Sequence, residues 1–190
     1  MTTLDPTVTA LVLIDLQRGI TAAPTRPHTT SDVIANAARL ATAFRAAGAP
    51  VITVRVALSP DGGDALRADV DEPREARKIS ADFAEIVPQI RDERDIVVTK
   101  RQWGAFYGTD LDLQLRRRHI TTIVLGGVST NMGVESTARA AHEHGYHLVL
   151  VEDAMSAHTA EDHAFAITRI FPKIGRLVST SDVLAALTSA

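Results

Sequence analysis

The chain has 190 residues, one domain's worth, and 45% of them are hydrophobic, which excludes an intrinsically disordered polymer. A formal charge of −3 argues against nucleic acid as a partner, because such binders carry a basic surplus that releases counterions from phosphates. There is no cysteine, so disulfides, thiolate metal sites and thiol nucleophiles are excluded.

The opening residues, Met1 to Pro6, have neither the basic start nor the apolar core of a signal peptide. No apolar run approaches the ~20 residues that a spanning helix needs. We therefore expect a cytoplasmic protein without membrane contact. Thr9 to Ile14 (TALVLI) reads as a buried strand. Ser31 to Ala47 reads as a helix, capped at Ser31 or Asp32 and stopped at Gly48. Val51 to Val56 (VITVRV) is the second strand. The polar stretch from Leu58 to about Ile79, rich in Asp, Gly and Arg, reads as a long surface loop: a lid, a subunit contact or a tolerated insertion.

Asp95 to Thr99 is the third strand and Thr109 to Arg118 the next helix. Thr121 to Leu125, His147 to Val151 and Gly175 to Val178 complete the strands; Asn131 to His144, His163 to Ile170 and Ser181 to Leu187 complete the helices. The strands are continuously apolar and β-branched rather than alternating, the pattern of strands covered on both faces. Strands alternating with helices predict a three-layer α/β/α Rossmann-like sandwich around a six-stranded parallel sheet. Without repeats, low-complexity tracts or a linker, residues 1–190 are expected to form one domain.

Ligands bind such sheets outside the carboxyl ends of the strands, which directs attention to three places. Asp15 ends the first strand and precedes Leu16 and Gln17. A carboxylate there is partly desolvated, and its pKa rises toward acid–base work; an ordinary turn or cap aspartate is the alternative. Lys100 closes the third strand, where it can pair with a carboxylate or hold an anionic group, or be an ordinary exposed lysine. Trp103, Phe106 and Tyr107 follow it, as a pocket wall, a satellite apolar cluster or an interface. Gly126 to Glu135 runs from a strand into a helix and is rich in small residues. Its N–H groups offer an oxyanion site, or the segment is a tight capped turn. It lacks the endings of a phosphate loop and the spacing of a dinucleotide fingerprint.

The segments Leu13-Ile14-Asp15-Leu16-Gln17, Thr99-Lys100 through Phe106, and Gly127 through Arg139 resemble, in order and spacing, the isochorismatase-like hydrolase superfamily. That superfamily also holds nicotinamidases and N-carbamoylsarcosine amidases. Val151-Glu152-Asp153-Ala154 resembles its next strand end. The resemblance implies an Asp, Lys, Cys triad in the thiol enzymes, with Asp on Asp15 and Lys on Lys100. The cysteine position falls on Gly133, so a covalent thioester route cannot run, and the chain resembles the subgroup with glycine there. Ser129, Thr130 and Ser136 are poor substitutes, because no base stands at motif spacing.

True isochorismatases resemble this glycine pattern, and their reaction needs no nucleophile. Protonation of a vinyl-ether carbon by a carboxylic acid is followed by attack of water. The resemblance thus implies Asp15 as general acid, Lys100 as its orienting partner and Gly133 as room for substrate. Gln17, Trp103, Phe106, Tyr107, Val128, Ser129 and Asn131 are implied as substrate contacts, with a cis peptide at Val128-Ser129. It also implies a homodimer or higher homo-oligomer acting on a small molecule. No cofactor is expected. No metal is expected either: nicotinamidases place ligands after the second strand, where Val56 to Gly62 has no histidine, and the seven histidines form no ligand motif. Two other readings stay open: an amide or imide hydrolase using activated water, and a binding or scaffold protein.

Overall fold

In the computed structural model, which describes residues 3–72 and 79–187, the six apolar runs align in one parallel sheet. The strands are β1 (Thr9–Ile14), β2 (Val51–Val56), β3 (Ile96–Lys100), β4 (Thr122–Val128), β5 (His147–Ser156) and β6 (Arg176–Val178). Their order across the sheet is β3-β2-β1-β4-β5-β6. Parallel neighbours need crossovers, and helices supply four of them: α1 (Arg18–Thr21) and α2 (Thr30–Ala46) between β1 and β2, α3 (Leu111–Arg117) between β3 and β4, α4 (Glu135–Glu143) between β4 and β5, and α5 (Ala160–Phe165) and α6 (Phe171–Ile174) between β5 and β6; β2 joins β3 with no helix among the described residues, and α7 (Thr180–Leu187) follows β6. None of the described helices is long and apolar enough to cross a membrane.

Successive side chains of a strand point to opposite faces, so each strand feeds two cores. Leu11, Leu13, Val51, Val124 and Val149 pack with Val33, Leu40 and Phe44 of α2 and Val183 of α7. Val12, Ile14, Ile52, Val54, Ile123 and Leu125 pack on the other face with Leu111 and Leu115 of α3, Ala138 of α4 and Phe171 of α6. The result is the expected α/β/α sandwich, with β1 buried from end to end and β4 buried from Ile123 onward.

Several boundaries move for local reasons. The cap of α2 is Thr29 rather than Ser31 or Asp32; its Oγ1 accepts from the Asp32 N–H at 3.2 Å. β4 continues through Gly126 and Gly127, which pair with Leu13 and Ile14; a Cβ at Gly127 would meet Ile14 O at 2.2 Å, and one at Gly126 would meet the Ala154 carbonyl of β5 at 2.9 Å. β5 runs past Val151 to Ser156, and the β4–β5 register shifts between Leu125 and Gly127. The helix read from Asn131 opens with a wide π-helical turn, Thr130–Val134, and a second such turn, Ala166–Ile170, separates α5 from α6.

Of the loop read over Leu58 to Ile79, residues 73–78 lie outside those described. Its first part folds back on itself. Asp64 Oδ1 accepts from the N–H and hydroxyl of Ser59 at 2.7 and 2.8 Å, and Asp64 pairs with Arg101 just past β3.

Candidate active site

β1 and β3 flank β2, so their carboxyl ends stand two strands apart, and a long side chain is needed to bridge them. Lys100 bridges them. Its Nζ donates to Asp15 Oδ2 at 2.7 Å and to the carbonyls of Trp103 and Gln102 at 2.8 and 3.1 Å. All three ammonium hydrogens are therefore placed. Both residues are buried, Lys100 at 2% and Asp15 at 7% exposure, which makes this an ion pair inside the protein. Asp15 adopts a left-handed backbone (φ 53°) that turns the chain at the strand end, a conformation an aspartate tolerates better than most residues. Its N–H donates to Val54 O at 2.9 Å, which anchors that turn to β2.

Burial pushes the Asp15 carboxyl up to about 6, against the opposing attraction and hydrogen bond of Lys100. Its second oxygen, Oδ1, is buried and has no hydrogen-bond partner among the described residues. Ser129 Oγ and Asn131 Oδ1 are unpartnered and buried as well. Buried polar atoms are nearly always bonded, so each of the three is a position that water or a ligand's polar group would satisfy.

Gly133 sits at the end of the wide turn against this pair. A Cβ there would lie 2.9 Å from Ile14 Cγ2, 3.1 Å from Asp15 Oδ2 and 3.5 Å from Lys100 Nζ. A side chain at 133 would therefore enter the Asp15–Lys100 site directly, and glycine keeps that space clear. The Val128–Ser129 peptide is cis, as the resemblance implies. Val128 is buried in the core behind it.

The remaining expected contacts divide. Gln17 is fully buried, but its carboxamide is committed to the main chain. Nε2 donates to Val56 O at 2.9 Å and Phe83 O at 3.0 Å, while Oε1 accepts from Val56 N–H at 2.7 Å. In this arrangement it clamps the end of β2 beside β1. Phe106 faces the core. It is buried with Leu111 and Leu115, its ring stacked on His144 at 5.0 Å and tilted against Tyr146 at 5.9 Å. Trp103 is half exposed and touches the pair through its carbonyl; Tyr107 is 85% exposed and accepts from Gln102 Nε2 only through its carbonyl.

Folding also builds a cluster that no sequence spacing announces. His28 Nε2 and His163 Nε2 lie 2.7 and 3.1 Å from Glu152 Oε1. His163 Nδ1 lies 2.9 Å from Thr130 Oγ1, in the turn that contains Gly133. The three side chains come from residues 124 and 11 positions apart, so only the fold brings them together.

The sheet thus carries a buried aspartate–lysine pair at the ends of β1 and β3 and a cis peptide at the end of β4. Residues 9–182 match the Isochorismatase domain, and the chain belongs to the isochorismatase family. It is 50% identical over 188 residues to the uncharacterized isochorismatase family protein YecD of Escherichia coli O157:H7, covering 98% of this chain and all of that one. It is 32% identical over 175 residues to the ureidoacrylate amidohydrolase RutB of Methylobacterium radiotolerans, covering 80% of this chain and 68% of RutB. Among solved structures, an isochorismatase family protein from Burkholderia thailandensis superposes with a TM-score of 0.95 at 49% identity, covering 99% of each chain. Kinship with hydrolases makes this chain a hydrolase of that family.

Proposed function

We propose that the protein hydrolyses a vinyl ether or a related activated C–O bond of a small molecule, without a covalent intermediate. One observation carries the reading: the Asp15 carboxyl is buried, raised to about 6, tied to Lys100 through Oδ2 and unpartnered at Oδ1. A carboxyl in that state is protonated below about pH 6, stays protonated in a minority of molecules at neutral pH, and has one oxygen free to deliver the proton.

In this mechanism protonated Asp15 gives its proton to the methylene carbon of the enol ether. The carbon–carbon double bond supplies the electron pair, and an oxocarbenium ion forms at the ether carbon. Water adds to that carbon and returns a proton to Asp15. The resulting hemiketal collapses, breaking the C–O bond and releasing an alcohol and a ketone. Lys100 orients Asp15 and holds negative charge on it once the proton has left. Gly133 leaves room for the substrate. The Ser129 hydroxyl and Asn131 carboxamide bind its oxygens beside the Val128–Ser129 peptide, and Trp103 borders the entrance. The reaction requires no cofactor.

The first test follows pyruvate release from isochorismate, the simplest substrate of this class. Asp15→Asn is expected to lower kcat/KM by about 10²–10⁴-fold, the range for a general acid. The wild-type profile is expected to fall about tenfold per pH unit above pH 6, because only the protonated acid reacts and its share shrinks as pH rises through its pKa. Full turnover by Asp15→Asn would sink the assignment.

Gly133→Cys tests the other half of the site. Its Cβ would stand 2.9 Å from Cγ2 of the buried Ile14, which must give way, so turnover is read together with a melting curve that reports whether the variant folds. Its sulfur would occupy substrate space, and vinyl-ether turnover is expected to fall by about 10²-fold, the scale of a misplaced substrate. Unchanged turnover would put the substrate elsewhere.

A second reading is favoured by the likeness to RutB: hydrolysis of an amide or ureide, with water in place of the missing thiol. Ammonia release from a panel of ureides, abolished by Asp15→Asn, would replace the first reading. The exposed Tyr107 and half-exposed Trp103 support a further proposal, that a second copy of the chain covers this segment. Sedimentation should then show a homo-oligomer that Tyr107→Glu weakens.

A further inference from the structure

We propose that His28, Glu152 and His163 form a binding site for a divalent transition-metal ion, with Zn2+ the cation whose donor preference fits, and that its occupancy braces the Thr130–Val134 turn. The two imidazoles and one carboxylate offer Nε2, Nε2 and one carboxylate oxygen, all within 4.8 Å of one another. Nitrogen and carboxylate oxygen are the donors Zn2+ takes, at about 2.0–2.2 Å, and imidazole suits the later first-row metals generally. Donor atoms already 2.7 and 3.1 Å apart need only a small outward movement of Glu152 to stand around such an ion.

Each ligand is placed by the backbone before any ion arrives. Glu152 lies where β5 loses register with β4, and a bulge of this kind re-aims a side chain out of the sheet. His28 is held by two contacts to the end of β5. Arg26 and Ala157 exchange backbone hydrogen bonds of 2.8 and 3.0 Å, and Ser156 Oγ donates to His28 O at 2.8 Å. His163 is buried on α5, with its Nδ1 on the Thr130 hydroxyl. A second-shell hydrogen bond of this type fixes the ring and tautomer of a ligating histidine. The side chains of His28 and Glu152 are 29% and 37% exposed, so an ion can enter and water can complete its coordination.

The tautomers connect the site to the turn. Without an ion, both histidines donate Nε2–H to Glu152, and His163 Nδ1 accepts from the Thr130 hydroxyl. With an ion on Nε2, the His163 proton moves to Nδ1 and donates to Thr130 Oγ1. No net proton is lost, but the bond to Thr130 reverses direction. The ion would join α5, β5 and the segment before α2 to the turn that carries Asn131 and Gly133 and follows Ser129. Asp15 and Lys100 are not ligands, so the proposal is independent of the reaction assigned to them.

The test titrates chelator-stripped full-length protein with ZnCl2 in a calorimeter, and with Co2+ as a visible-absorption probe. Wild type is expected to bind one Zn2+ per chain and to give Co2+ d–d bands. Glu152→Gln and His28→Ala are expected to lose this binding, and Thr130→Val to weaken it by about 10–100-fold, as outer-shell variants do. In wild type, Zn2+ should shift the imidazole signals of two of the seven histidines, a readout that needs no variant to fold. No saturable binding by wild type would overturn the proposal and leave a hydrogen-bonded cluster. Binding that survives both His28→Ala and Glu152→Gln would overturn it too, by placing the ion elsewhere.

Discussion

Lys100→Met is expected to destabilise the protein by about 3–5 kcal/mol at pH 8, because it leaves the Asp15 carboxylate buried and uncompensated. The loss should be much smaller at pH 5. Burial already holds Asp15 at about 6, above its unfolded value near ~3.9, and removing Lys100 takes away the attraction that opposes this rise. A carboxyl whose folded pKa is raised contributes stability below its unfolded pKa and loses it as pH climbs through the folded one. In wild type that decline ends near pH 6; in Lys100→Met it continues to higher pH. Urea unfolding of both proteins at pH 5 and pH 8 measures the difference. An equal loss at both values would show that lost packing of the lysine stem, not the buried charge, is the cause.

Gly127→Ala is expected to prevent folding, or to destabilise by more than about 4–5 kcal/mol, a size that single substitutions reach only through a severe local fault. Gly127 pairs with Ile14 across the β1–β4 junction with φ 126°. A Cβ there would stand 2.2 Å from Ile14 O and 2.6 Å from Ile14 N, both backbone atoms of the strand that presents Asp15. No rotamer relieves such contacts. Gly145→Ala is the control: it also has positive φ, at 84°, but nothing lies within 4 Å of its Cβ. Backbone strain alone should cost it about 1–2 kcal/mol. If the two variants melt within a degree or two of each other, steric closure at Gly127 is not what holds the strands together.

The strand pattern was legible because periodicity survives in one dimension: TALVLI and VITVRV have the observed limits of β1 and β2. Asp15 and Lys100 were legible for a related reason, since each is the polar residue that terminates an apolar strand. What sequence could not convey was where side chains go after the strands end. The polarity of Gln17 suggests substrate, but only the position of β2 beside it shows that its carboxamide is used up on the backbone. Phe106 sits in the same aromatic segment as Trp103, yet the Tyr146 and His144 rings that enclose it lie about forty residues on. The His28–Glu152–His163 cluster depends on a register shift within β5, and register shifts leave no mark in composition.

The wide turn at Thr130–Val134 has a consequence for what surrounds position 133. β4 fixes where the segment begins, and the buried face of α4, with Thr137, Ala138 and Ala141, fixes the azimuth at which it must arrive. An α-helical path between them would lock the phase of every residue in the turn to that core. The additional residue of a π-helical turn acts as a slip joint that absorbs the mismatch. Position 133 is thereby decoupled from helix packing. A side chain there would press on Ile14 and Asp15 of the first strand's end, not on the helix that follows.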